Sequence, residues 1–157
     1  MPGREIIVGV ISDTHGLLRP EAIEALRGSD IIMHAGDVGT PAVIDALRGV
    51  APTFVVRGNV DTGDWAAGLP MTERVEVGAL SFFVLHEIAR LDRDPAAVGF
   101  SAVVFGHSHL PSIETRHGVL FLNPGSAGPR RFKLPVAVAR VGVAGQRMHP
   151  EIVALQV

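Results

Sequence analysis

Cysteine is absent from the sequence, and with it go disulfide frameworks, thiolate metal sites and cysteine nucleophiles. Lysine is nearly absent: thirteen of the fourteen basic residues are arginine, and Lys133 stands alone. The arginines are scattered along the chain, so the bias reads as coding preference and not as a set of phosphate forks. There is no surplus of positive charge either, since the formal net charge is −2. Nucleic acid and anionic membrane surfaces usually demand a clustered basic face and are not expected partners. Long apolar runs are missing too. The only early one, Ile6 to Ile11, is far shorter than a membrane span and leads directly into Ser12-Asp13-Thr14-His15 instead of a small-residue cleavage site. A soluble, cytoplasmic protein is the expectation.

What is present describes an ordinary globular chain. Hydrophobic residues make up 47% and charged residues 19% of 157 positions, enough to bury a core without staples, so any metal must be argued from function. No low-complexity stretch or linker divides the chain, and residues 1–157 are read as one domain. Glu5 to Ser12 is a β-branched run of the kind expected of a strand buried on both faces. Pro20 to Gly28 opens with proline and glutamate and ends with Arg27 and Gly28, which predicts a short helix. The same grammar recurs at Thr40 to Gly49, and Ile31 to Ala35 and Thr53 to Arg57 read as the strands between and after. Arg74 to Val77 and Leu80 to Leu85 around Gly78 predict a hairpin. Asp94 to Gly99 predicts one or two helical turns. Strands are then expected at Ser101 to Phe105, Ile113 to Arg116, Val119 to Asn123, Val136 to Val141 and Ile152 to Leu155. Parallel βα units followed by hairpins predict an α/β fold with two packed sheets and helices outside them.

Five polar motifs follow five of the predicted strands: Ser12-Asp13-Thr14-His15-Gly16, Gly36-Asp37, Gly58-Asn59-Val60-Asp61, His86, and Gly106-His107-Ser108-His109. Loops leaving the carboxyl ends of strands in an α/β sheet converge on a crevice, so residues distant in sequence meet there. Asp13 and His15 are two apart, as are His107 and His109, and in an extended segment such pairs project to one side. The adjacent glycines remove Cβ bulk where the backbone bends or approaches an ion. Carboxylates with neutral imidazoles suit Mn, Zn, Fe, Ni or Co better than Mg or Ca. Seven donors exceed the needs of one ion but suit a pair about 3.5–4 Å apart that shares one carboxylate, for which Asp37 is the natural choice. Each motif also has a plainer reading: an N-cap for Asp13, turn chemistry for Asp37 and Asn59, exposed loop histidines for His107 and His109, and a half-buried structural histidine for His86. His34, His117 and His149 are left outside the ligand set. Asp61 is read either as orienting a ligating imidazole or as a solvated loop charge, and Arg57 as meeting a phosphate oxygen or capping its strand.

The order Asp-x-His, Gly-Asp, Gly-Asn, a lone His and Gly-His-x-His resembles the calcineurin-like metallophosphoesterase superfamily, especially its small bacterial and archaeal phosphodiesterase branch. The resemblance runs from Asp13 to His109, and Asn123-Pro124-Gly125-Ser126 is also similar to that branch. Five motifs in order are a far more specific signal than any one of them. The resemblance implies that Asp13, His15, Asp37 and His109 hold one ion, while Asp37, Asn59, His86 and His107 hold the other. It implies a four-layer αββα sandwich, two mixed β-sheets flanked by helices. Two positions depart from the pattern. Val60 stands where the family's phosphatases usually carry a histidine that can protonate the leaving group, so the chain should favour esters with good leaving groups. Glu87 stands where the family commonly has glycine, which either weakens anion binding or places a charge in solvent.

The expected function is hydrolysis of a small phosphate ester, first of all a diester, by a hydroxide held between two divalent cations. Manganese is the expected ion, with zinc, iron, nickel or cobalt accommodated by the same donors, and catalysis is expected to centre on Asp37, Asn59 and His107. The alternatives are a phosphomonoesterase acting on a nucleotide or phosphoprotein, a nuclease, and a protein-binding scaffold resembling a retromer subunit. A scaffold is disfavoured because every ligand position is filled. The apolar content allows a homo-oligomer but locates no interface.

Overall fold

Proline marks where helices begin in this chain, and β-branched runs mark where strands lie. The computed structural model describes residues 4–157. Strands β1 (Ile6–Ile11), β2 (Ile31–His34) and β3 (Thr53–Val55) alternate with helices α1 (Pro20–Leu26) and α2 (Pro41–Arg48). Both helices place proline in their first turn, where its missing N–H costs nothing, and α2 buries Val43, Ile44 and Leu47. A hairpin of β4 (Thr72–Val77) and β5 (Leu80–Leu85) follows, then the short helix α3 (Pro95–Val98) and β6 (Ala102–Val104). The chain ends in β7 (Ser112–Arg116), β8 (Val119–Asn123), β9 (Ala137–Ala144) and β10 (Arg147–Ala154).

These strands form two mixed five-stranded sheets, ordered β10-β9-β1-β2-β3 and β4-β5-β6-β8-β7. Strands β1, β2 and β3 are parallel, while β9 pairs antiparallel with β1. In the second sheet β5, β6 and β8 are parallel, flanked by antiparallel β4 and β7. Val8, Val10, Met33 and Val141 of the first sheet meet Val75, Phe82, Val104 and Leu122 of the second in a core between the sheets. Outside the first sheet, Leu26 and Leu47 of the helices cover Ile11, Ile32 and Val138. Outside the second, the covering is thin: Ile88 and Leu91, around a single 3₁₀ turn, lie on Phe83, Phe100, Val103 and Phe121. The layers are therefore helix, sheet, sheet, helix, as expected.

The last strand starts at Arg147, five residues before the expected Ile152. Met148, His149 and Pro150 hide it, because proline normally argues against a strand. Here β10 is an edge strand, where a residue without an N–H is tolerated.

Register decides where the motifs end up. Ile11 is opposite His34, and His34 is opposite Val55, so β1, β2 and β3 finish level. Val84 is opposite Val104, and Val104 opposite Leu122, so β5, β6 and β8 do the same. Gly106 N–H donates to the His86 carbonyl (3.0 Å), and the His86 ring reaches the carbonyl of Ala35 (2.7 Å), which ties the two groups of loops together.

Candidate metal centre

The structure brings all seven expected ligands into one cleft. Two groups have their donor atoms within 4.8 Å of one another: Asp13, His15 and His109, and Asp37, His86 and His107. Asp37 Oδ2 lies between them, 3.8 Å from His15 Nε2 and 3.2 Å from His86 Nε2. His109 Nε2 is 3.3 Å and His15 Nε2 3.8 Å from Asp13 Oδ1. Asn59 joins the second group. A half-turn of its amide would set the NH₂ 3.0 Å from His86 Nε2, 3.3 Å from His107 Nδ1, and 3.3 and 3.2 Å from the two Asp37 oxygens. As it stands, the amide oxygen faces those acceptors.

That convergence tests whether the residues suit a cation. Asp13 Oδ2 accepts from the Ser12 hydroxyl (2.6 Å) and the His107 N–H (3.1 Å), while Oδ1, fully buried, has no hydrogen-bond partner among the described residues. Asp37 Oδ1 accepts from Val60 N–H (3.0 Å), leaving Oδ2 turned inward. His86 Nδ1 donates to the Ala35 carbonyl, so the neutral ring directs a lone pair from Nε2 at His107 Nδ1, 3.3 Å away. His15 Nε2 and His109 Nδ1 are also buried without hydrogen-bond partners among the described residues. Buried acceptors without donors are costly. Lone pairs from oxygen and nitrogen aimed at common points are the donor set of a divalent cation of the Mn or Zn kind, and the residues fit such ions.

Electrostatics agree with this reading. Burial pushes the Asp13 carboxyl above its ordinary range despite the Ser12 hydroxyl and the nearby imidazoles. Burial acts on Asp37 in the same sense, but His86 in its protonated form and the Val60 N–H outweigh it and hold Asp37 low. Burial would lower His86, yet Asp37 and Asp13 raise it, and burial lowers His109.

The local backbone differs from the expectation. Asp13 (φ 56°), His15 (49°), Asp37 (56°), His107 (73°) and His109 (65°) are left-handed, and only two other described non-glycine residues, His117 and Phe132, share that property. The Asp-x-His and His-x-His pairs are therefore not extended, and they converge because alternate residues turn back. Such conformations are costly and cluster where function demands them. Two of the glycines beside these pairs and Asp37 make room for neighbouring ligands. A Cβ at Gly106 would lie 2.6 Å from Asp13 Oδ2, and one at Gly36 2.7 Å from His86 Nδ1.

Five residues outside the ligand set acquire definite places. Asp61 is buried and accepts Gly58 N–H (2.9 Å), Val38 N–H (3.1 Å) and Gly39 N–H (3.0 Å). It clamps the Asp37 and Asn59 loops together through their backbone, and is neither an imidazole partner nor a solvated charge. His34 is fully buried; its Nδ1 accepts Gly36 N–H (3.1 Å), so Nε2–H donates to the Thr14 hydroxyl (3.0 Å), which donates to Val38 (2.8 Å). Burial lowers its pKa to about 4. Glu87 pairs with Arg90 at 3.4 Å. His117 and His149 lie in the β7–β8 turn and on β10, away from the centre.

Sequence reasoning passed over two braces. Asn123, expected as the end of a strand, is fully buried; its amide donates to Gly106 O and Ser108 Oγ (both 3.1 Å) and so holds the loop of His107 and His109. Ser126 Oγ donates to the Asp13 carbonyl at 3.0 Å. Their adjacency in Asn-Pro-Gly-Ser was the available signal, but nothing local says what they hold. Cavities flank the centre. One of about 360 Å³ is lined by Arg57, Asn59, Met71, Leu85, His86, Glu87 and Arg90 among others. Another, of about 320 Å³, lies by His15, His109, Arg130 and Arg131.

Residues 6–146 match the family model described as the calcineurin-like phosphoesterase superfamily domain. A probable metallophosphoesterase of Methanothermobacter thermautotrophicus is 29% identical over 160 residues, covering 94% of this chain and 92% of the relative. A solved archaeal phosphodiesterase superposes with a TM-score of 0.79 at 22% identity, over 94% of this chain and all of the other. Vacuolar Protein Sorting 29 from Cryptosporidium parvum superposes with a TM-score of 0.78 at 16% identity, over 99% of this chain and all of the other. At those identities the two structures establish the fold alone.

Proposed function

The chain belongs to the calcineurin-like phosphoesterase superfamily, and we propose that it is a phosphodiesterase holding two divalent cations, first of all manganese. The supporting observation is the pair of buried polar atoms left without partners among the described residues, Asp13 Oδ1 and His15 Nε2, which share one cleft with Asp37 Oδ2. Asp13, His15, Asp37 and His109 would hold one ion, and Asp37, Asn59, His86 and His107 the other. When bound, such a pair supplies Lewis acidity, lowering the pKa of a coordinated water and neutralising phosphoryl charge. The protein's own work is positioning. Ser12 and the His107 N–H orient Asp13, Val60 N–H orients Asp37, and Ala35 fixes the His86 tautomer. Asn59 and His107 are the most exposed ligands, so the scissile phosphate would enter over them.

Val60 follows Asn59 and carries no titratable group, so no side chain at that position can protonate a leaving oxygen. Diesters with good leaving groups are the fitting substrates. The archaeal phosphodiesterase of the same fold supports the same choice. A protein-binding scaffold would leave the strained, fully occupied ligand positions without purpose. The test is hydrolysis of bis(p-nitrophenyl) phosphate and of p-nitrophenyl phosphate, with and without Mn²⁺. Metal-dependent cleavage that favours the diester and vanishes in Asp37→Ala is expected. Activity that survives chelation or the Asp37 substitution would sink the reading, and a preference for the monoester would replace diester by monoester hydrolysis.

A further inference from the structure

Metal ligation leaves the cavity beside Asn59 and His86 unexplained. Its volume of about 360 Å³ is at the small end of organic ligand sites. Met71 and Leu85 give it an apolar wall, and Met71 is half exposed at the rim. Three charged side chains share it: Arg57, Glu87 and Arg90. Glu87 and Arg90 pair with each other at 3.4 Å. Arg57 is half-buried and has no ion pair or side-chain hydrogen bond among the described residues, although its backbone N–H is held by Pro70 O (2.8 Å). A guanidinium is charged at any working pH, so Arg57 brings a positive charge to the cavity that no carboxylate among the described residues pairs with. Two arginines against one glutamate leave a formal +1, carried by Arg57, two residues from the ligand Asn59. The cavity therefore has a place for one anion and, beside it, an uncharged apolar surface.

We propose that this cavity seats the organic substituent of the phosphoester, a neutral planar ring packed on Met71 and Leu85, while Arg57 pairs with a phosphoryl oxygen. The assignment rests on the phosphoesterase reading and adds the substrate class: an ester carrying an aromatic or heteroaromatic group, with no second phosphate on that arm. The Glu87–Arg90 pair balances its own charge, so the cavity carries net positive charge for one anion only.

Binding of phenylphosphonate and methylphosphonate to the Mn²⁺-loaded protein, measured by calorimetry, tests this without turnover, because neither has an ester bond to cleave. Phenylphosphonate should bind at least about tenfold more tightly, as expected for burial of most of a ring face. Met71→Ser should shrink that preference while leaving methylphosphonate affinity within about twofold. Arg57→Gln should weaken both ligands about tenfold and preserve their ratio. Equal affinities for the two phosphonates in the unsubstituted protein, or indifference of both to Arg57→Gln, would overturn the assignment. Hydrolysis of bis(p-nitrophenyl) phosphate by the same preparation separates the two ideas. Turnover without ring preference removes only the cavity assignment, whereas ring preference without metal-dependent turnover removes the phosphoesterase reading, and with it the substrate class, and leaves a ring-binding cavity.

Discussion

Asp13 illustrates how single residues prepare the centre. One carboxylate oxygen is saturated by Ser12 and the His107 N–H, and the other is buried without a donor. Ser12→Ala should leave the fold intact and weaken Mn²⁺ binding about tenfold to a hundredfold, as loss of a group that orients a ligand usually does, and competition with a chelator would measure it. His34 provides a second prediction. Burial sets its pKa at about 4, below the ordinary 6.5 of an unfolded histidine. Between those values the unfolded chain binds a proton that the folded chain refuses, so stability is complete above pH 6.5 and falls as pH drops through the window. The loss by pH 4 is about 3 kcal/mol. Denaturant midpoints of the metal-free protein at several pH values should show that decline, and His34→Gln should flatten it.

Elements decide which loops meet. Helix α1 lies so close to β1 that a Cβ at Gly9 would stand 2.8 Å from Leu26 Cδ2 and 2.6 Å from Ser29 Oγ. Gly9→Val should therefore lift the helix and cost about 1–3 kcal/mol, read as a lower denaturation midpoint without change in slope. The clamp at Asp61 operates between elements as well. Asp61→Ala would leave three backbone N–H groups of two ligand loops without their charged acceptor, and a loss of about 3 kcal/mol is expected, with a fall in Tm of roughly 6–12 °C. Much at this scale was legible in the sequence. The proline-led helices and β-branched strands were read within a few residues of their observed bounds, because periodicity and capping are local. The start of β10 was not, since Pro150 is acceptable only because the strand is at an edge, which is a fact of sheet order.

For the whole molecule, ligand loops from two sheets are closed over a common point, so occupancy of that point should be felt globally. Mn²⁺ at a hundred times its dissociation constant should stabilise the fold by about 2.7 kcal/mol, a rise in Tm of roughly 5–11 °C that Asp13→Asn abolishes in a thermal scan. Loading must also compete with protons on His86, whose pKa Asp37 and Asp13 raise against the effect of burial. Metal affinity should accordingly fall as pH drops through the range in which that imidazole gains its proton.

The amino-acid sequence alone determined the chemistry available: five motifs at strand ends, with no thiol and no basic face, leave oxygen and nitrogen donors and little else. It determined the layered α/β plan too, because hydrophobic period and turn residues act over a few positions. Only the tertiary structure decided how each donor is held: that Asp-x-His and His-x-His turn through left-handed residues, that Asp61 serves backbone and not imidazole, that Asn123 braces a loop seventeen residues away, and that Arg57 has no ion pair among the described residues. Hydrogen-bond partners and open space are set by which loops the sheet register places side by side, and that register is a property of long-range pairing.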